Sequence, residues 1–284
     1  MTYAITGSTG NFGSLALRGL LGLGVQAKDI VAIARNEAKT ASLFAKGVSV
    51  RIADYGRPET LESALAGVDR LLLVSGSEVG KRSEQHRNVI AAAKKTGVKF
   101  IVYTSLTRAA ESKNPLAPEH KATEEALAAS GIPYAVLRNN WYTENYLDDV
   151  KRAGTTGVIE AAAGNGVVHS ASRSDYAEAA VRVLAGEGHA GKTYELSGEG
   201  WNYATLAKTA SEILGRTVSY KAVSAEQRQA DLAGAGLPPE IAGFVTALDA
   251  AIAAGTLDNE SRDLEMLLGR KPLSLKEGLK AALG

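Results

Sequence analysis

No cysteine occurs anywhere in the 284 residues. That absence removes disulfides, thiolate nucleophiles, iron–sulfur ligation and cysteine-held zinc together, so any redox chemistry has to be carried by a bound cofactor. Histidine is scarce as well: His86, His120, His169 and His189 stand far apart, and no pair has the helical spacing of a zinc site. No metal is therefore expected. An excess of charge of one sign is also missing, with 32 Lys and Arg against 31 Asp and Glu, a formal net charge of +1 and no dense basic cluster. Such a chain has no electrostatic pull toward nucleic acid. No apolar run approaches the roughly 20 residues of a membrane span, and the N-terminus lacks a basic segment followed by an apolar targeting region. A cytoplasmic protein with no membrane partner is expected.

A hydrophobic content of 45% is enough to bury a sizeable core in one large domain or two lobes. The most informative segment comes first. The apolar stretch Tyr3-Ala4-Ile5 runs into Gly7-Ser8-Thr9-Gly10-Asn11-Phe12-Gly13 and then into the apolar run Leu15 to Leu23. Strand, glycine turn and helix in this order hold a dinucleotide pyrophosphate on helix-terminal N–H groups. Gly7 suits the tight turn, Gly10 allows close approach to phosphate, and Gly13 lets the helix pack near the sheet. The spacing is Gly-x-x-Gly-x-x-Gly rather than the usual Gly-x-Gly-x-x-Gly.

Further strands are expected at Ile30 to Ala34, Val48 to Ala53, Leu71 to Val74, Phe100 to Tyr103 and Tyr134 to Leu137. Helical segments lie between them, including one between the second and third strands and another at Glu84 to Lys95. Six strands alternating with helices imply an α/β fold, a Rossmann-type doubly wound parallel sheet. The alternation breaks down near residue 140. Residues 1–140 are expected to form the dinucleotide-binding domain. Residues 141–284 are expected to form a smaller, mostly helical substrate lobe, the two free to interleave. Within that lobe, helices are expected at Tyr176 to Ala185, Tyr203 to Leu214, Ala225 to Ala254 with breaks at Gly234, Gly236 and Pro238-Pro239, and Leu273 to Leu283. Thr193 to Leu196 reads as a strand of the same lobe.

The second strand ends in Ala34-Arg35-Asn36, where an NAD-binding unit offers an acidic residue to the ribose. A guanidinium there favours a 2′-phosphate, hence NADP. A solvated arginine opening the next helix is the alternative. Lys39 is either a second phosphate contact or a helix-face charge. Asp54-Tyr55 and Ser75-Gly76-Ser77 follow the third and fourth strands, at the sheet edge where ligands bind.

Together with these segments, Tyr103-Thr104-Ser105-Leu106 and Leu137-Arg138-Asn139-Asn140-Trp141-Tyr142-Thr143-Glu144-Asn145 make a combination that resembles the bacterial NmrA-like NAD(P)H:quinone oxidoreductases. These are atypical short-chain dehydrogenases close to the triphenylmethane reductases. The likeness extends through Ser172-Arg173-Ser174-Asp175-Tyr176 and Lys192 to Gly198. The resemblance implies that Gly7, Ser8, Thr9, Gly10, Asn11 and Phe12 cradle the pyrophosphate of NADPH and that Arg35 holds its 2′-phosphate. It also implies that Ser75, Gly76 and Ser77 line the cofactor's path. Asn140, Trp141, Tyr142, Thr143, Glu144 and Asn145 would border the nicotinamide and substrate, and Arg173 would touch the cofactor from the second lobe. Phe12 departs from expectation, being bulky and aromatic beside the phosphates.

Typical short-chain dehydrogenases use Tyr-x-x-x-Lys to protonate an alkoxide, and none of the ten tyrosines here has a lysine four positions later. Hydride addition to a quinone gives a stabilised phenolate-like product that needs little acid catalysis. The expected activity is thus NADPH-dependent reduction of a quinone or planar dye-like electrophile by direct hydride transfer, without flavin or metal, by a monomer or homodimer. Asn140 and Tyr142 are the expected catalytic residues, orienting substrate or a water, with Trp141 as a flat wall. His120-Lys121 reads as a charged first helical turn. The missing dyad also motivates an alternative, a redox-sensing, NADP-binding regulatory protein without turnover.

Overall fold

The runs Ile30 to Ala34, Leu71 to Leu73 and Phe100 to Leu106 carry no polar alternation, the pattern of strands buried on both faces of a parallel sheet. In the computed structural model, which describes residues 1–40 and 47–284, six strands come first, of which β3 is an exposed edge strand: β1 (Tyr3–Ile5), β2 (Ile30–Ala34), β3 (Ser49–Ile52), β4 (Arg70–Leu73), β5 (Phe100–Leu106) and β6 (Tyr134–Asn139). Farther along come β7 (Val158–Ala161), β8 (Thr193–Leu196) and β9 (Ser219–Ala222). The main sheet has the order β3-β2-β1-β4-β5-β6-β8 with every pair parallel, and β7 pairs separately with β9. This is the expected doubly wound α/β sheet, and its order reverses between β1 and β4, where such folds bind ligands.

One sheet face packs Ile5, Ala32, Leu72, Val102 and Leu137 beneath α1 (Asn11–Gly22). The other packs Val31, Ile33, Leu71, Leu73, Ile101 and Val136 against α2 (Leu61–Leu65), α3 (Arg82–Thr96) and α4 (Ala117–Ser130). Neighbouring residues of one strand therefore serve opposite layers. Between the second and third strands, Glu37–Lys39 forms a short 3-10 turn. The rest of the helix expected there lies outside the described residues.

The chain then leaves the sheet in α5 (Leu147–Thr156) and returns to it. In α6 (Arg173–Ala185), Tyr176, Ala180 and Val181 pack into the same core layer as α1. β8, expected in the second lobe, is the seventh strand of the main sheet, with Val136 opposite Thr193 and Asn139 opposite Leu196. The remaining elements are α7 (Tyr203–Leu214), α8 (Ala225–Gly234), α9 (Pro239–Ala253), α10 (Asp263–Leu268) and α11 (Leu275–Leu283). A second core joins Tyr146, Val150, Ile159, Trp201, Tyr203, Leu206 and Leu279. Helix starts follow their capping chemistry: Ser172 accepts from Asp175 N–H, Asn202 from Thr205 N–H, and Ser274 with Glu277 closes a reciprocal capping box. Among the described residues no helix is long and apolar enough to cross a membrane, and no cluster of three metal-ligating side chains forms.

Candidate cofactor groove and acceptor cavity

The turn after β1 is dictated by its glycines. Gly7 sits at φ +58°, and a Cβ on Gly13 would lie 2.3 Å from the Gly7 carbonyl oxygen, so any side chain there would push α1 off the turn. Gly10 precedes α1 with no side-chain cap, and no acidic residue occupies the first helical turn. The first N–H groups and the positive end of the helix dipole are thus left for an anion.

These residues open into a groove of about 390 Å³ whose glycine-turn wall is formed by Gly7, Thr9, Gly10, Asn11 and Phe12. Ser8 does not face it. That side chain is buried and donates its hydroxyl to the Ile33 carbonyl at 2.9 Å, tying the turn to β2. Arg35 lines the groove's outer end, joined there by Lys39 from the following turn. Across the groove stand Ser75, Gly76, Ser77 and Glu78, and the Arg35 guanidinium pairs with Glu78 at 2.7 Å. Asp54 and Tyr55 complete the rim, the Tyr55 hydroxyl donating to the Val74 carbonyl at 2.9 Å.

The Ser75 to Ser77 wall is held from behind. Gly76 N–H donates to His86 Nε2 at 2.9 Å, and Arg82 Nε donates to the Gly76 carbonyl at 2.7 Å. His86 Nδ1 faces Thr123 Oγ1 at 2.9 Å. Burial, with the nearby Arg82 charge, pulls the His86 pKa down to about 3, so the ring is neutral and its Nε2 remains an acceptor. Glu119 anchors the assembly by accepting from Arg82 and from the Gly80 and Arg82 N–H groups. His120 lies in the first turn of α4 as expected, but it is buried against the Tyr103 hydroxyl at 2.8 Å and burial holds its pKa well below the ordinary value, while Lys121 is exposed.

The stretch after β6 divides its residues between tasks. Asn140 is buried, donates to the Leu257 carbonyl at 3.1 Å and accepts the Trp141 N–H at 2.8 Å, so both ends of its amide are committed away from the groove. Thr143 pairs with Ser170. Glu144 accepts the Arg173 N–H at the start of α6, and Asn145 accepts from the Arg173 guanidinium at 2.9 Å. That guanidinium stands 4.9 Å from the Tyr142 ring centroid, and the Tyr142 ring lies 6.3 Å from Phe12 of the glycine turn. Tyr142 thus marks the inner end of the turn. Burial raises the pKa of its phenol above the ordinary value, and its oxygen lies 3.4 Å from Asn139 Nδ2. The Oδ1 of Asn139 is buried with no partner.

Beyond Arg173 a second cavity, about 470 Å³, lies between the start of α5 and helices α8 and α9. Trp141 and Tyr203 give it aromatic walls, Val245, Leu248 and Ile252 an apolar side, and the partly buried Asp149 and buried Asp249 add carboxyls whose pKa values desolvation raises.

Residues 7–187 match the family described as NAD(P)H-binding. Quinone oxidoreductase 2 of Escherichia coli (strain K12) is 47% identical over 277 residues, covering 97% of this chain and 96% of that protein. An NAD(P)H azoreductase of Xenophilus azovorans is 28% identical over 98% of this chain and 96% of its own length. Among solved structures, the Escherichia coli NADPH-dependent quinone oxidoreductase complexed with NADPH superposes with a TM-score of 0.96 at 46% identity, covering all of both chains. The Citrobacter sp. triphenylmethane reductase complexed with NADP(H) gives 0.93 at 41% identity over 99% of this chain and 100% of that one.

Proposed function

Because this chain belongs to the NmrA-like NAD(P)H-binding oxidoreductases, we propose that it oxidises NADPH and reduces a quinone or a similar planar electrophile. The observation that carries this reading is the position of Tyr142, a neutral phenol between Phe12 of the glycine turn and Arg173 of the second cavity.

The residues present fit the dinucleotide: Gly13 has no room for a Cβ, and the first turn of α1 is left uncapped for a pyrophosphate. Gly7, Thr9, Gly10, Asn11 and Phe12 cradle that group, Arg35 with Lys39 receives the 2′-phosphate, and Ser75, Gly76 and Ser77 form the opposite wall. Arg173 covers the inner end from α6. NADPH, when bound, supplies the hydride.

The acceptor lies in the second cavity with its ring against Trp141 and its reacting end toward Arg173, whose guanidinium stands over the Tyr142 ring. Reduction of a quinone to a hydroquinone needs one hydride and one proton. The Tyr142 hydroxyl holds a proton for the oxygen that becomes anionic, and Arg173 above its ring stabilises negative charge there. Asn140 acts at one remove, fixing the Trp141 peptide and the Leu257 segment. No flavin or metal enters the reaction.

The test follows NADPH oxidation by purified protein with a panel of quinones and planar dyes, without added flavin. Turnover with quinones is expected. Tight NADP binding with no oxidation across the panel would reject this reading in favour of a redox-sensing, NADP-binding regulator.

A further inference from the structure

The geometry points to Glu78 as a determinant of dinucleotide choice, acting as a competitor for the 2′-phosphate rather than as part of its site. This rests on the reading that Arg35 receives that phosphate. Arg35 and Glu78 come from opposite walls of one groove and meet at 2.7 Å, Arg35 following β2 and Glu78 following β4. The pair closes over the groove's outer end. Their side chains are 65% and 37% exposed, and an ion pair so solvated is weak enough to exchange partners.

A 2′-phosphate offers what Glu78 offers, with more charge and more oxygens. It carries roughly −1.5 to −2 at neutral pH and matches the two-pronged donor edge of a guanidinium. To accept it, Arg35 must release Glu78, whose carboxylate would otherwise stand in like-charge contact with the phosphate. The structure provides for that release: Lys81 lies 3.6 Å from the other Glu78 oxygen, so the carboxylate keeps a cation when Arg35 turns away. A dinucleotide with a free 2′-hydroxyl makes no such demand, and the Arg35–Glu78 pair remains closed beside it. Glu78 therefore penalises NADPH relative to NADH, and only the fraction of molecules with the pair open binds the phosphate without penalty.

The experiment compares direct binding of NADPH and NADH to wild type, Glu78→Gln and Arg35→Gln by fluorescence titration. Glu78→Gln is expected to shift the NADPH-to-NADH affinity ratio about twofold to fivefold further toward NADPH, the worth of a solvated ion pair. An unchanged ratio, or one shifted toward NADH, overturns the proposal; the second result would make Glu78 a residue that holds Arg35 ready for phosphate. Arg35→Gln separates the two readings. If it leaves NADPH affinity unchanged, the phosphate assignment falls and the competition with it. If it weakens NADPH about tenfold or more while Glu78→Gln leaves the ratio unmoved, only the competition falls.

Discussion

His86 accepts the amide hydrogen of Gly76 at 2.9 Å and thereby fixes one wall of the cofactor groove from a fully buried position on α3. The bond requires a neutral ring, which burial enforces by pulling the pKa to about 3 from the usual 6.5. In the unfolded chain the same imidazole protonates below about 6.5, so between 6.5 and 3 the unfolded state binds more protons than the folded one. Stability due to this group is fully present above pH 6.5 and falls as the pH drops toward 3. Thermal melts across that range should show the decline in wild type and a shallower one in His86→Gln, whose amide does not titrate. His120, also held well below its ordinary value, keeps the variant's slope above zero.

The glycines of the turn make a sharper comparison within one helix. A Cβ at Gly13 would meet the Gly7 carbonyl oxygen at 2.3 Å, whereas one at Gly22 meets nothing within 4 Å. Gly13→Ala is expected to cost about 1 to 3 kcal/mol of stability and to weaken NADPH binding, because α1 has to shift away from the turn. Gly22→Ala should be neutral or stabilising by up to about 1 kcal/mol, since alanine is the better helix former. Melting temperatures and NADPH titrations on the two variants check both halves.

Tyr142→Phe removes the hydroxyl while keeping the ring on which Arg173 rests. If that hydroxyl carries the proton, kcat with quinones should fall about tenfold to a hundredfold, at or below the low end of the usual general-acid contribution because the product anion is already stabilised. NADPH affinity should hold. A parallel loss of NADPH binding with unchanged kcat would remove Tyr142 from the proton path and leave it as packing for Phe12.

The layered sheet was legible because β2, β4 and β5 are continuous apolar runs, and such runs have few alternatives to a doubly covered strand. The edges were harder to read. β8 is Thr193-Tyr194-Glu195-Leu196, a half-exposed edge strand without an apolar run, and its membership in the main sheet depends on pairing with β6, more than fifty residues earlier. β9, with Lys221 and mostly exposed, left no signal at all. At the groove, the charge of Arg35 stood in the sequence, but its pairing with Glu78 is a fact of topology. Asn139 and Asn140 show the same limit: adjacent residues leave a strand on opposite faces, and register alone decides that Asn139 meets Tyr142 while Asn140 turns to Leu257.

Glu195 offers the strongest test of how one edge of the main sheet is tied to the segment after α9. Its carboxylate accepts from Arg138 at 3.0 Å, from Thr107 Oγ1 at 2.9 Å, from Asn259 Nδ2 at 2.9 Å and from the Arg108 N–H at 3.2 Å. One side chain on β8 thus gathers the ends of β5 and β6 and the segment after α9. Arg108 has φ +51°, a left-handed conformation that costs a non-glycine residue about 1 to 2 kcal/mol, and its N–H bond to Glu195 helps to hold it. Glu195→Gln keeps the shape but offers one acceptor oxygen where several donors converge. Arg138 retains Glu124 at 2.7 Å, so no charge is stranded, and the pair is partly solvated. The expected loss is therefore about 1 to 3 kcal/mol, below that for breaking a fully buried ion pair. Arg108→Gly removes the backbone strain and should restore about 1 kcal/mol of it. Denaturant melts of Glu195→Gln with and without Arg108→Gly decide the matter: equal losses in both would show that Glu195 does not hold the Arg108 turn.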